Sequence, residues 1–453
     1  MIIPESLPKI KLFLRPVAGR LTEVVPLVQL LAAFVSHVGR MPASQAAESI
    51  RTCSRHRANV ARYLARPHAV NQQMLNRLSR RIIASERKRR GVWFFLLDST
   101  FCGHQGEHGE NMFSCGNTVP RPRNSTRRQR KVARRSCHGF VMGLLITPRG
   151  CRIPCFFSYQ THAYCAAQGC SYRTQAELAA ELIAQLWLPP SIHPIVLGDT
   201  AFDAAVVREA CRQRNFHWIT PVNPERVLDG PKPRPKVSSL GAHLEASDLV
   251  PVRLIPGRGP LAVQHRAARC RCGSRTRNRT FFVHGERRRV LHAGEVRLVF
   301  STTTKPSPGQ VVKIQKVLMT DDVRLSQRRV VQYYDMRWQI ELMFKELKST
   351  LGLDDYQLRS FAKVERFVAA CLVAFLYLEW YRWQLMQARG IPAKERQRCT
   401  QQRTYGLCRR VRLEAEINDL RYLARSCRTK TGLRKMRRTL EQALPTEHRK
   451  LNN

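Results

Sequence analysis

The chain has 453 residues, enough to bury a large core and to hold two or three domains. Its 78 Lys and Arg against 33 Asp and Glu give a formal net charge of +45, a surplus that calls for a polyanionic partner, DNA or RNA by default. A membrane span is excluded, because the nearest apolar run, Phe367 to Leu376, falls short of the roughly 18 residues required. Arg15, Arg20 and Glu23 interrupt the first apolar stretch, so no signal peptide is read there and an intracellular protein is expected. Fifteen cysteines in such a chain are expected to be reduced thiols.

Residues 1 to about 90 read as helices, with Leu21, Val24, Val25, Val28, Leu31 and Phe34 at helical spacing. Ser44 to Leu64 is compatible with a helix-turn-helix whose second helix is Ser54 to Leu64, and equally with a plain helical bundle. The run from Val92 to Asp98 is continuously apolar up to its acid, as expected of a strand buried on both faces. Cys102, His104, His108 and Cys115 follow it. Their spacing is not that of a zinc finger, and loop residues without a ligand are favoured over a zinc site, as they are for His265, Cys270 and Cys272.

Strands are expected at Phe140 to Ile146 and Arg152 to Tyr159, then a helix from Gln175 to Leu188. Pro194 to Asp199 is a second apolar run ending in an acid, followed by a helix from Ala201 to Arg214 and a strand from Trp218 to Val222. This order defines an α/β core with a mixed sheet, residues 91–222. Asp98 and Asp199 both end core strands, where α/β sheets place their ligand sites. Asp203, four residues beyond Asp199, reads as a local cap or ion-pair partner. Residues 223–325 read as a β-rich insertion, with strands near Val250 to Ile255, Thr280 to His284 and Glu295 to Thr302 and an Arg-dense tip from Arg266 to Arg279.

A helix capped by Ser326 is expected to run without Pro or Gly until Gly352, closing the core over residues 326–360. On it, Arg337, Glu341 and Lys348 lie three, seven and fourteen residues after Tyr334. At about 100° per residue, all four share one helix face to within roughly 60°. A solvated face with i,i+4 pairs would show the same spacing. The two upstream acids favour instead a carboxylate flanked by phosphate-binding groups. Residues 361–453 are expected to form a basic helical C-terminal region, with helices at Phe361 to Met386, Thr404 to Arg425 and Gly432 to Leu444.

Tyr334, Arg337, Glu341 and Lys348 complete the signature Y-x-x-R-x-x-x-E-x6-K, and in this the chain resembles the DDE transposases of the bacterial insertion-sequence-four family. Trp338 beside Ile340-Glu341, Asp98-Ser99-Thr100 and the Gly198 to Asp203 segment are similar to the same family's motifs, so the resemblance spans about residues 90 to 380. It implies a ribonuclease-H-like mixed-sheet catalytic core with a β-rich insertion before the glutamate. The helical residues 1–90 and the Arg-rich termini match nothing in that family; residues 1–90 are expected to form a DNA-binding domain on account of their basic charge, and the C-terminal region is expected to be helical from its own pattern.

The resemblance also implies metal-dependent cleavage of insertion-sequence ends and joining of the 3′-ends to target DNA. Asp98, Asp199 and Glu341 would hold two Mg²⁺ ions, or Mn²⁺ in substitution, since three gathered carboxylates repel one another without cations. Tyr334, Arg337 and Lys348 would grip phosphates. Trp338 would either stack on a displaced base or pack in the core. The expected partners are transposon-end and target DNA bound by a dimer, without a membrane, in the bacterial cytoplasm at the nucleoid. A catalytically idle DNA binder and a metal-dependent nuclease of the same fold are the alternatives.

Overall fold

A computed structural model describes residues 8–17, 21–36, 58–66, 70–87, 90–104, 109–115, 135–254, 279–388, 392 and 403–434. Four helices come first: α1 (Pro8–Leu14), α2 (Leu21–Ser36), α3 (Ala58–Ala65) and α4 (Gln72–Glu86). The proposed helix-turn-helix falls largely on residues 37–57, outside the described residues.

The core opens with β1 (Phe94–His104), whose residues Phe94 to Leu97 are fully buried, as their unbroken apolar run requires. It is longer than its apolar segment and carries Asp98 in its middle. Next come β2 (Phe113–Cys115), β3 (Arg135–Ile146) and β4 (Arg152–Ser158). Then α5 (His162–Gln168) and α6 (Gln175–Gln185) lead to β5 (Ile195–Leu197), α7 (Ala205–Gln213) and β6 (His217–Pro221). A capping box between Thr174 and Glu177 starts α6 where the sequence places it. The helix stops short of Leu188, and the expected helix from Ala201 is replaced by a 3₁₀ turn at Thr200–Phe202 ahead of α7.

In the sheet, β4, β3, β1, β5 and β6 are successive neighbours. The β1–β3 and β3–β4 pairs are antiparallel, and the β1–β5 and β5–β6 pairs are parallel. Gly143 of β3 leaves room for side chains from both neighbouring strands: a Cβ there would stand 2.4 Å from the Phe95 ring and 2.7 Å from Cys155 Sγ.

The region read as an insertion contributes α8 (Val237–Ala242), β7 (Val250–Leu254), β8 (Arg279–Val290), β9 (Gly294–Thr302) and β10 (Lys316–Thr320). Its strands continue the core sheet. β10 pairs antiparallel with β6, and β9, β8 and β7 follow outward. β10 was not expected from the sequence, where Lys316 and Thr320 bound an apolar stretch of only three residues.

The signature lies on α9 (Gln327–Tyr334) and α10 (Trp338–Thr350), and Ser326 Oγ accepts the Arg329 N–H at 3.4 Å as the N-cap. The helix is not continuous. Asp335–Arg337 is a 3₁₀ turn, and α10 ends before Gly352 at φ +67°. Next, α11 (Phe361–Gln387) is buried from Val364 to Arg382 on nearly every side. It is apolar because helices surround it. Phe34 packs edge-on against Phe367 and Phe13 against Tyr377, each at 5.5 Å, and α12 (Thr404–Ser426) closes the far side. The helix expected at Gly432 to Leu444 lies mostly outside the described residues. Among the described residues no helix is long and apolar enough to cross a membrane.

Candidate active site

Leu96 of β1 is in register with Leu197 of β5, and the strands run parallel. Asp98 and Asp199 each stand two residues beyond these partners, so the register puts both acids at one level on adjacent strands. β5 ends at Leu197, which frees the chain to turn. Gly198 allows it, since a Cβ there would lie 2.8 Å from Phe202 Cβ. Asp199 Oδ1 then accepts the Ala201 N–H at 2.9 Å and caps the 3₁₀ turn. Asp98 Oδ1 accepts the Ser99 N–H at 2.7 Å.

Glu341 reaches this edge from α10 through Arg337. The guanidinium donates to Asp98 Oδ2 at 3.1 Å and, through its other terminal nitrogen, to Glu341 Oε1. Tyr334 hydrogen-bonds the same guanidinium. The 3₁₀ turn explains that contact: at three residues per turn, side chains three apart eclipse, so Tyr334 stands directly over Arg337. The spacing in sequence found the shared face, while its tightening at Asp335–Arg337 left no signal.

Burial pushes the Asp98 carboxyl above its ordinary value; the Ser99 N–H and Arg337 pull it back, and Asp199 and Glu341 push it further up. The Tyr334 phenol is also raised, first by burial. Burial sets both shifts, and in each the opposing pull of Arg337 is larger than the push from either neighbouring acid. Asp203 does not add to that push, because its buried carboxylate is paired to Arg208 and, at 2.6 Å, to Arg226.

Lys348 lies at the other end of the face, its Nζ donating to the Phe101 carbonyl on β1 at 2.7 Å. Trp338 is 55% exposed, which removes core packing as its role. Sequence reasoning missed three neighbours. Tyr159 bonds Ser99 Oγ at 2.9 Å, is pushed up to about 12 mainly by burial, and stacks on Phe101 at 5.9 Å. Gln175 donates to the same Ser99 hydroxyl at 2.7 Å. Lys316 lies over the Tyr334 ring, 5.2 Å from its centroid. These residues sit far apart in sequence, and only the sheet order brings them together.

Among the described residues no three His, Cys, Asp or Glu side chains gather closely enough to hold a metal ion. For the acids, the cause is visible: Arg337 stands between Asp98 and Glu341. Their chemistry nonetheless fits a hard divalent cation, since three carboxylates, hard oxygen donors, stand along one edge. Of the Cys/His group, Cys102 is fully buried with its thiol pushed up to about 12 by desolvation, an inert core thiol rather than a thiolate ligand. His108 and the His104 and Cys115 side chains lie outside the described residues, as do His265, Cys270 and Cys272.

The sheet is mixed and flanked by helices, with Asp98 on β1, Asp199 just beyond the end of the parallel neighbour β5, and Glu341 on a covering helix. Residues 91–377 match the family model described as the transposase DDE domain, and the chain belongs to that family. Its members generally use divalent metals and bind DNA. Among curated proteins no sequence matches the chain.

Proposed function

We propose that the protein is a cut-and-paste DNA transposase of the insertion-sequence-four kind. It would cut the ends of its element and join the freed 3′-ends to target DNA. The observation that carries this reading is the matched register of Asp98 and Asp199, with Glu341 tied to Asp98 through Arg337. Asp98, Asp199 and Glu341 would hold two Mg²⁺ ions, or Mn²⁺. When bound, the metal would make water or a DNA hydroxyl a stronger nucleophile and stabilise the departing oxygen.

The chain's own groups do the rest. Arg337 links Asp98 to Glu341, and its planar fork beside Tyr334 is also suited to a phosphate. Lys348, held at the Phe101 carbonyl, supplies a point charge along the same backbone. Trp338 offers an exposed ring on which a displaced base can stack. Transposition joins two ends, so a dimer on DNA is the proposed acting form, at the bacterial nucleoid in the cytoplasm.

The test is cleavage and strand transfer with the element's flanking repeats and a supercoiled target, with and without Mg²⁺, for wild type and Asp98→Ala. Metal-dependent cutting and joining that Asp98→Ala abolishes is the expected result. Cutting without joining would make it a nuclease of the same fold. Binding without chemistry in wild type would make it an idle descendant.

A further inference from the structure

Lys316 opens β10, and the sheet order runs β1, β5, β6, β10. Because β10 is antiparallel to β6, with Leu318 opposite Pro221, its first residue projects beyond the carboxyl end of β6. That is the edge on which Asp98 and Asp199 stand. Three strand spacings separate Lys316 from β1, or about 14 Å of sheet. Lys348 is anchored on β1 itself, at the Phe101 carbonyl. The two lysines therefore stand along the edge that carries the acids, Lys348 held at β1 and Lys316 rooted three strands away on β10.

The position of Lys316 is fixed. Ser301 Oγ donates to its carbonyl at 3.0 Å, and Thr303 N–H and Oγ1 donate to the preceding Gln315 side chain at 3.0 and 2.8 Å. Its side chain is exposed, lies over Tyr334, and forms no ion pair with a carboxylate among the described residues. Partial burial and the nearby Arg337 both lower its ammonium, and only Glu341 opposes them. Such a cation is stabilised by an incoming anion.

Building on the transposase reading, we propose that Lys316 is a further DNA-backbone ligand. It grips a phosphate on the side of the scissile bond opposite to the one held by Lys348. About 14 Å corresponds to several nucleotide steps at about 3.4 Å of rise each, so a single strand laid across Asp98 and Asp199 meets both lysines. Tyr334 offers its ring face to the Lys316 ammonium.

The test measures the affinity of duplex DNA as a function of salt for wild type, Lys316→Gln, Lys316→Arg, Lys348→Ala and the Lys316→Gln/Lys348→Ala double variant. Lys313→Gln serves as a control on the same exposed segment. Melting curves confirm that each variant is folded. Lys316→Gln is expected to weaken binding and flatten the slope of log K against log salt by about 0.9, one phosphate contact. Lys316→Arg should restore both, and the double variant should lose about twice as much slope. A wild-type slope in Lys316→Gln, or an equal loss in Lys313→Gln, overturns the proposal and leaves the transposase reading standing. A double variant no flatter than either single one places both lysines on one phosphate and also overturns it. Wild type that fails to bind duplex DNA overturns the transposase reading itself.

Discussion

Two charged clusters lie on opposite sides of α10, and they are built on opposite principles. Away from the sheet edge, Arg152 bonds Glu379 at 2.8 Å and Glu346 at 2.9 Å, while Arg382 bonds Glu379 and, at 2.8 Å, the Gly150 carbonyl. Two guanidinium groups meet two carboxylates, Arg382 Nε is their one buried polar atom without a partner, and all but Glu346 are almost fully buried. At the sheet edge, Asp98 and Glu341 share Arg337, while Asp199 beside them accepts only the Ala201 N–H among the hydrogen bonds of the described residues. The first cluster is complete as it stands and holds α10, β4 and α11 together. The second has surplus charge at an accessible edge, which marks it for a cationic ligand. Glu341 and Glu346 are five residues apart on one helix, so α10 carries a member of each cluster.

The sharpest contrast is between removing charge from each. Glu341→Gln keeps the size of the side chain and is expected to lower cleavage on the order of a thousandfold or more, with DNA binding and melting temperature nearly unchanged. Loss of binding in a folded Glu341→Gln protein would mean that the edge is a binding surface only. Glu379→Ala should behave in reverse. It leaves Arg152 and Arg382 buried without their shared carboxylate, at a cost of about 3–5 kcal/mol. Denaturant unfolding should show that loss, and any protein still folded should cut DNA at a rate close to wild type. A Glu379→Ala protein as stable as wild type would show that water reaches this cluster.

How much of this was legible beforehand divides along the same line. Asp98, Asp199 and Glu341 were visible because two apolar runs end in acids and a third acid sits in a helical signature. The helix pattern also gave the shared face of Tyr334 and Arg337, though not the 3₁₀ turn that brings them into contact. The complete cluster was invisible: Arg152 and Glu379 are 227 residues apart, and nothing in local pattern pairs them. The apolar length of α11 looked like a failed membrane span because its partners α1, α2 and α12 come from both ends of the chain. Lys316 was missed for a related reason, since β10 is too short to announce itself and owes its place to β6 and β9.

Lys348→Ala tests the rim of the incomplete site, and a smaller effect is expected. Its ammonium bonds a carbonyl and pairs with no carboxylate among the described residues, so stability should change by less than about 0.5 kcal/mol. Binding and cutting should both weaken, with the salt slope reduced by about 0.9. A drop in cutting with an unchanged salt slope would assign Lys348 to holding β1 rather than to DNA.

The smallest effect is also the one that decides between the two principles. The Asp98 carboxyl is raised above 3.8 in the fold, so the folded protein holds its proton more tightly than the unfolded chain. Stability from this group is present below the unfolded value and is lost as pH rises through the folded one. Asp98→Asn, although inactive, should therefore melt slightly higher than wild type in chelator. The gap should open as pH rises past the ordinary carboxylate range and then level off. Mg²⁺ should raise the melting temperature of wild type and leave Asp98→Asn unmoved, reversing the order. If Asp98→Asn instead melts lower in chelator by a margin that grows with pH, then Arg337 alone satisfies Asp98, and the edge is a finished ion pair like Arg152 and Glu379.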